Sequence, residues 1–257
     1  MEVKKVVLQQ GEKVYFASDF HLGIPDYDSS LLREKKIVKW LDEVKHDARE
    51  IYLVGDLFDF WFEYGKVVPA GFTRLLGKLS ELTDRGVAVT VFTGNHDMWM
   101  FDYLSKECGV TLLREPIVKQ YNDKYFFIGH GDGLGPGDHG YKFIKKVFAN
   151  PVCQWLFARI HPNFGIALAN FWSGKSRSVN HFTDREFLGE EKEMLVVFCK
   201  EELRRRPEIN YFVFGHRHLP LDMEIAPNCR YINLGDWISY FTYGVFDGLT
   251  LELKKYD

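Results

Sequence analysis

The chain has 257 residues, with 33 Lys+Arg against 36 Asp+Glu, a net charge of −3 and a pI near 6.3. A hydrophobic share of 46% with 27% charged residues excludes a compositionally disordered chain and suffices for one large core or two small ones. The pI excludes a protein coated in basic charge for duplex nucleic acid and leaves only a local basic patch open.

Taken in order, the chain repeats one pattern: a short strand followed at once by a polar cluster. The opening residues lack a hydrophobic run of signal-peptide length, and no stretch approaches 18 consecutive apolar residues, so a cytoplasmic chain is expected. Val14–Ser18 then runs into Asp19-Phe20-His21. Ser30 to Val44 carries helical periodicity with Ser30 as the candidate N-cap. Ile51–Val54 leads to Gly55-Asp56, and a second helix is predicted over Phe72–Arg85, closed by Gly86. Val87–Phe92 leads to Gly94-Asn95-His96-Asp97, and Tyr125–Ile128 to Gly129-His130.

From Gly133 to about Glu191 no strand is predicted. Short amphipathic helices are expected at Tyr141–Ala149, Val152–Ile160 and Phe164–Trp172, forming a helical cap (133–191) inserted into a core of 1–132 and 192–257. Tyr211–Phe214 then leads to Gly215-His216-Arg217-His218, followed by strands at Tyr231–Leu234 and across an Asp247-Gly248 hairpin. The strands are β-branched and aromatic without alternation, as for strands buried on both faces. Strands alternating with helices give a layered α/β sheet whose ligands gather at strand carboxyl ends, where every polar cluster lies.

Asp19, His21, Asp56, Asn95, His130, His216 and His218 together supply two carboxylates, one amide oxygen and four imidazoles. Converging loops carrying them would make two adjacent metal sites sharing a carboxylate. Two divalent ions about 4 Å apart lower the pKa of a bridging water and clamp a phosphoryl group for in-line attack by the resulting hydroxide. Alone, an Asp-x-His or Gly-Asp-x-x-Asp motif is weak, since the same residues serve helix caps. The ordered set carries the specificity. The four cysteines form no CxxC pair and read as packed, reduced thiols.

The set resembles the calcineurin-like metallophosphoesterase superfamily, D-x-H, GD-x-x-D, GNH-[DE], GH and GH-x-H, from about Val14 to Leu234. The resemblance implies a four-layer α/β/β/α double-β-sandwich. It implies one metal on Asp19, His21, Asp56 and His218, and the other on Asp56, Asn95, His130 and His216. His96 would face the scissile phosphate with Asp97 orienting it, and Asp59 would stand behind the ligands. The mixed N/O set suits Mn²⁺, with Fe²⁺ or Zn²⁺ as alternatives.

Within that superfamily the sequence is most similar to the UDP-2,3-diacylglucosamine diphosphatases of lipid A synthesis, through S-D-F-H-L-G at 18–23, G-D-L-F-D-F-W at 55–61, H-G-D-G-L at 130–134, G-H-R-H-L-P at 215–220 and N-L-G-D-W at 233–237. This implies cleavage of the pyrophosphate of UDP-2,3-diacylglucosamine to UMP and the acylated sugar 1-phosphate. The substrate would be an anionic acylated nucleotide-sugar taken at a membrane surface, with the enzyme peripheral on the inner membrane and no nucleic-acid partner. By position in the insertion, Asp138, Tyr141, Ser173, Lys175 and Arg177 would be the substrate contacts. One departure weakens the substrate more than the chemistry: the best-known members read G-N-R-D where this chain reads G-N-H-D at 94–97.

The insertion's composition fits an anionic lipid: between His139 and Thr183 there are six basic residues and no Asp or Glu, among numerous aromatics. The same aromatics would also serve to pack a cap onto a core. Competing readings are another phosphodiesterase or nucleotide phosphatase of the superfamily, a nuclease, or a non-catalytic scaffold of the same fold. The acidic remainder speaks against the nuclease, and the intact ligand set against the scaffold.

Overall fold

The computed structural model describes residues 3–137, 139–169, 171, 187 and 189–257. Two six-stranded sheets face each other. One has the order β12-β11-β2-β3-β4-β5, from Leu251–Lys255, Thr242–Phe246, Lys13–Ala17, Ala48–Val54, Ala88–Phe92 and Thr111–Leu113. The other has the order β1-β6-β7-β8-β10-β9, from Lys5–Val6, Ile117–Tyr121, Lys124–Ile128, Ile209–Phe214, Cys229–Leu234 and Pro220–Ala226.

Period-2 alternation assigns the layers. In β2, Val14 and Phe16 face the opposite sheet, while Tyr15 and Ala17 face helices. Tyr52, Val54 and Phe92 from one sheet meet Phe126, Ile128, Tyr211, Val213 and Ile232 from the other. Helices α1 (Tyr27–Val44), α2 (Thr73–Asp84) and α3 (Tyr103–Cys108) cover the first sheet with Ile37, Trp40, Leu41, Leu75, Leu79 and Leu104. Helix α7 (Met194–Arg205) covers the second with Leu195, Val196 and Cys199. The result is the expected four-layer α/β/β/α arrangement, and the four cysteines are free.

Between β7 and α7 lie α4 (His139–Ala149), α5 (Pro151–Phe157) and α6 (162–169), with no strand among the described residues there. No residue of α4 or α5 is buried. No helix among the described residues is long and apolar enough to cross a membrane. The first helix begins earlier than periodicity predicted. Asp26, not Ser30, is its N-cap, taking the Ser29 N–H at 2.9 Å, and Ser30 is turned inward to accept the Gly23 N–H.

A polar cluster closes the layer between the sheets at the end away from the strand carboxyl termini. The Glu50 carboxylate accepts from the hydroxyls of Tyr52 and Tyr121 and from the Lys119 ammonium. Desolvation would raise the Glu50 carboxyl, but these donors outweigh it and hold it below its usual range. A carboxyl depressed in the fold lends stability above its unfolded pKa of about 4.3 and loses it as pH falls through the folded value. Wild type is therefore expected to exceed Glu50→Gln in unfolding free energy at pH 7, with the gap shrinking as pH falls towards about 3. Urea unfolding at stepped pH measures it; a constant gap would refute this role for the carboxylate.

Candidate metal centre

Six strand ends supply the site, β2, β3 and β4 from one sheet and β7, β8 and β10 from the other. Backbone bonds stitch their loops together: Asp19 N–H to Gly55 C=O at 3.1 Å, His21 N–H to Asp56 C=O at 3.0 Å, Gly215 N–H to His130 C=O at 3.1 Å, and Trp237 N–H to Asp19 C=O at 3.1 Å. Asp19, His21, Asp56, His216 and His218 all have left-handed backbones, φ between 43° and 65°. Such positive φ is uncommon outside glycine, and it concentrates where surrounding structure holds functional groups in place. Two glycines are dictated by space alone. A Cβ on Gly94 would stand 2.1 Å from Asp56 Oδ1, and one on Gly215 would stand 1.9 Å from Ser18 Oγ and 2.5 Å from Asp19 Oδ2.

The side chains converge on Asp19 and Asp56, both almost fully buried. His218 Nε2 is 3.5 Å and His21 Nε2 3.7 Å from Asp19 Oδ1, while His21 Nε2 is 3.6 Å and His130 Nε2 3.3 Å from Asp56 Oδ2. Asn95 Oδ1 lies 2.9 Å from His216 Nδ1 and 3.3 Å from His130 Nε2. All seven predicted ligand side chains are thus in one cluster. Two groups of cation-binding size lie within this set, Asp19, His21 and His218, and Asp56, His130 and His216, and a third joins His21 and Asp56 to His96.

The donor chemistry fits divalent cations. Asp19 Oδ1, His21 Nε2 and Asp56 Oδ2 are buried without a hydrogen-bond partner, and all three point into the cluster. Such orphaned atoms cost about 1–3 kcal/mol each unless satisfied, more for charged groups, and a cation would satisfy all three. The protonation pattern follows the same crowding. Desolvation pulls His21 down, but the neighbouring Asp19 and Asp59 carboxylates lift it to about 10. His130, likewise desolvated, is carried to about 10 by Asp56. Desolvation would raise Asp56, yet His130 and His96 hold it well below the carboxylate range. His216, desolvated and beside His130, drops to about 4.

Around this cluster stand residues that orient it. His21 Nδ1 meets Asp59 Oδ1 at 3.3 Å, His130 Nδ1 meets the Val54 carbonyl at 2.8 Å, and His218 Nδ1 is 3.6 Å from Asp236 Oδ2. Such partners set a ligand's tautomer and ring angle. Asp236 was not foreseen, although Gly235-Asp236 after β10 repeats the strand–Gly–polar pattern of the other clusters. Its Oδ1 gathers the N–H groups of Ile238, Ser239 and Tyr240, so the residue is itself rigid.

The role expected of Asp97 is corrected. Its Oδ1 accepts the Gly94 N–H and its Oδ2 the Leu57 N–H, at 2.8 and 2.7 Å, so it braces two loops against each other. Desolvation and the nearby Asp56 raise it to about 7. The His96 ring rests instead on Asp59, with Nδ1 3.0 Å from its carbonyl. Arg217, between two of the histidines, forms a fork on Glu193 at 3.1–3.3 Å, tying the metal loop to the start of α7.

Of the predicted substrate contacts, Tyr141 reaches the site: its hydroxyl donates to Asp132 at 2.5 Å, where Lys145 also pairs at 2.6 Å. Asp138, Ser173, Lys175 and Arg177 lie outside the described residues. A cavity of about 360 Å³ opens beside His96 and Asn95, walled by Phe60, Met98, Trp99, Ile144, Phe148 and Phe157.

Comparison with known proteins gives this geometry a context. Residues 12–220 match the family Calcineurin-like phosphoesterase. The chain is 40% identical over 254 residues to a UDP-2,3-diacylglucosamine hydrolase of Porphyromonas gingivalis, covering 95% of this chain and 97% of that one. It is 27% identical to a UDP-2,3-diacylglucosamine hydrolase of Actinobacillus succinogenes, over 88% of this chain and 92% of that one. Among solved structures it is similar to Yfce, a phosphoesterase from E. coli, at a TM-score of 0.47 and 15% identity, over 95% of this chain and 92% of that one, a distance too great to inform the site.

If Asp236 orients His218, Asp236→Asn should weaken one of the bound equivalents of Mn²⁺ by about 10–100-fold without changing the fold. Calorimetric titration of metal-stripped protein reads this; unchanged affinity would remove Asp236 from the site.

Proposed function

The chain belongs to the calcineurin-like phosphoesterase family, and on that footing we propose that it hydrolyses the pyrophosphate of UDP-2,3-diacylglucosamine, giving UMP and 2,3-diacylglucosamine 1-phosphate. The observation that carries this reading is the apolar cavity sharing Asn95 and His96 with the ligand cluster. A phosphoester seated on the cluster would have its acyl chains within reach of Phe60, Trp99, Phe148 and Phe157. Small-ligand cavities run to about 300–1,000 Å³, so one of about 360 Å³ suits part of a large amphiphile.

We assign Asp19, His21, Asp56 and His218 to one divalent ion and Asp56, Asn95, His130 and His216 to the other, with Mn²⁺ favoured by the mixed N/O donors. When bound, such ions supply an activated water and withdraw charge from phosphoryl oxygens. The chain's own residues do the rest. Asp56 joins the two halves of the site. The Asp59 carbonyl can only accept, so His96 Nδ1 carries a proton and Nε2 is the nitrogen that exchanges one at the phosphoryl group. Phe60 and Trp99 exclude water from the acyl side.

We further assign residues 133–191 to a cap that meets a membrane, placing the enzyme on the cytoplasmic face of the inner membrane. Phe143, Trp155, Leu156, Phe164 and Phe171 are all more than half exposed, and Arg159 stacks over Trp155 with its guanidinium 4.7 Å from the ring. Aromatic and aliphatic side chains beside basic ones suit an anionic surface.

The manganese-loaded enzyme is expected to turn over UDP-2,3-diacylglucosamine, and Asp56→Asn or a chelator to abolish this while circular dichroism is retained. Comparable turnover of bis-p-nitrophenyl phosphate and single-stranded DNA would contradict the substrate. Phe143→Ser with Trp155→Ser should release the protein from phosphatidylglycerol vesicles in a sedimentation assay; equal binding would contradict the membrane-facing cap.

A further inference from the structure

A second cavity, of about 410 Å³, lies on the other side of Phe60 from the apolar one. Asp59 and Phe60 line both. Its inner wall is Leu22 and Gly23, which follow directly on His21, and its outer wall is the start of α1 and the segment 69–74 leading into α2. The two cavities therefore adjoin at Asp59 and Phe60, beside the ligand cluster.

The second cavity sets a few polar groups, Ser30, Glu34, Asp59 and Thr73, among aromatic and aliphatic walls, and suits an uncharged ring that bears hydrogen-bonding groups. Helix α2 begins here with four backbone N–H groups facing outward, a place that ordinarily draws anions. In this chain Glu34 of α1 fills it, accepting the N–H groups of Arg74 and Leu75 at 2.9 and 3.0 Å. The carboxylates that line it are already engaged, Glu34 also with Arg74 at 3.9 Å and Asp59 with His21 at 3.3 Å. The helix start therefore offers no vacant place for a phosphate, while a group carrying both donors and acceptors meets matching partners. Ser30 keeps its hydroxyl hydrogen after accepting the Gly23 N–H, the Thr73 side chain is exposed at the rim, and Phe72 offers an aromatic edge. Phe72 has φ of 57°, a costly conformation for a bulky residue, and its own side chain cannot cap the helix it starts.

We infer that this cavity receives the nucleoside of the substrate, so that the pyrophosphate spans the ligand cluster with the acyl chains on one side of Phe60 and the uridine on the other. The inference rests on the function proposed above. A molecule cleaved at the cluster must leave one half on each side. The apolar cavity takes the acylated half, and the nucleoside, an uncharged ring and ribose with several hydrogen-bonding groups, takes the mixed one.

Ala70→Trp and Thr73→Trp each place an indole in the cavity from an exposed position away from the ligand cluster. In the manganese-loaded enzyme, both are expected to raise the Kd for UMP, measured by calorimetry, and the KM for UDP-2,3-diacylglucosamine at least tenfold. Inhibition by 2,3-diacylglucosamine 1-phosphate should stay within twofold of wild type. Unchanged UMP affinity in both variants, or a loss falling on the acylated product instead, would overturn the assignment while leaving the function standing. A wild-type enzyme that neither cleaves the UDP-lipid nor binds UMP would overturn both.

Discussion

Two buried carboxylates, Asp19 and Asp56, sit among four imidazoles, and each has an oxygen that meets no hydrogen-bond partner. Burying charges costs several kcal/mol and each unpartnered polar atom about 1–3 more, so this cluster works against the fold unless a cation satisfies it. Everything around it acts to hold the cluster together regardless. Five ligand residues take left-handed backbones, two glycines leave room for carboxylates where any side chain would collide, and five loops are tied by backbone bonds, those after β2, β3 and β10 to one another and that after β7 to that after β8. Such concentration of unfavourable local choices at one place is how a fold positions chemistry at the expense of its own stability.

The double sandwich makes this tolerable. The layer between the sheets is filled by stacked aromatics such as Phe16, Tyr52 and Phe126, whose ring centroids lie 5.4–5.9 Å apart. A close-packed layer of this kind resists deformation. Both sheets end at the same rim, so ligands from the two sheets meet across it, and Asp59 and Phe60 line both of the cavities outside that rim.

How much of this was legible in the sequence depended on how local the signal was. The strand–glycine–polar repeats at Gly55-Asp56, Gly94-Asn95-His96 and Gly215-His216 announced both the strands and the ligands, because a buried strand and a close backbone approach each leave a mark on neighbouring residues. The same rule would have found Gly235-Asp236. The short edge strands β1 and β5 were not legible, since two or three residues carry no periodicity. The cap of α1 was placed at Ser30 rather than Asp26 because Asp26 precedes the apolar pattern by a full turn. The partner of His96 could not be read at all. Asp97 is adjacent in sequence, but Asp59 comes from another strand, and only the sheet register brings its carbonyl to the ring.

The central claim is that one carboxylate, Asp56, joins two cations. Electron paramagnetic resonance of the stripped protein titrated with Mn²⁺ tests it most directly. Two ions sharing a carboxylate should give, at two equivalents per chain, the multiline signal of an exchange-coupled pair. A six-line spectrum of isolated ions at two equivalents, or saturation at one, would contradict it.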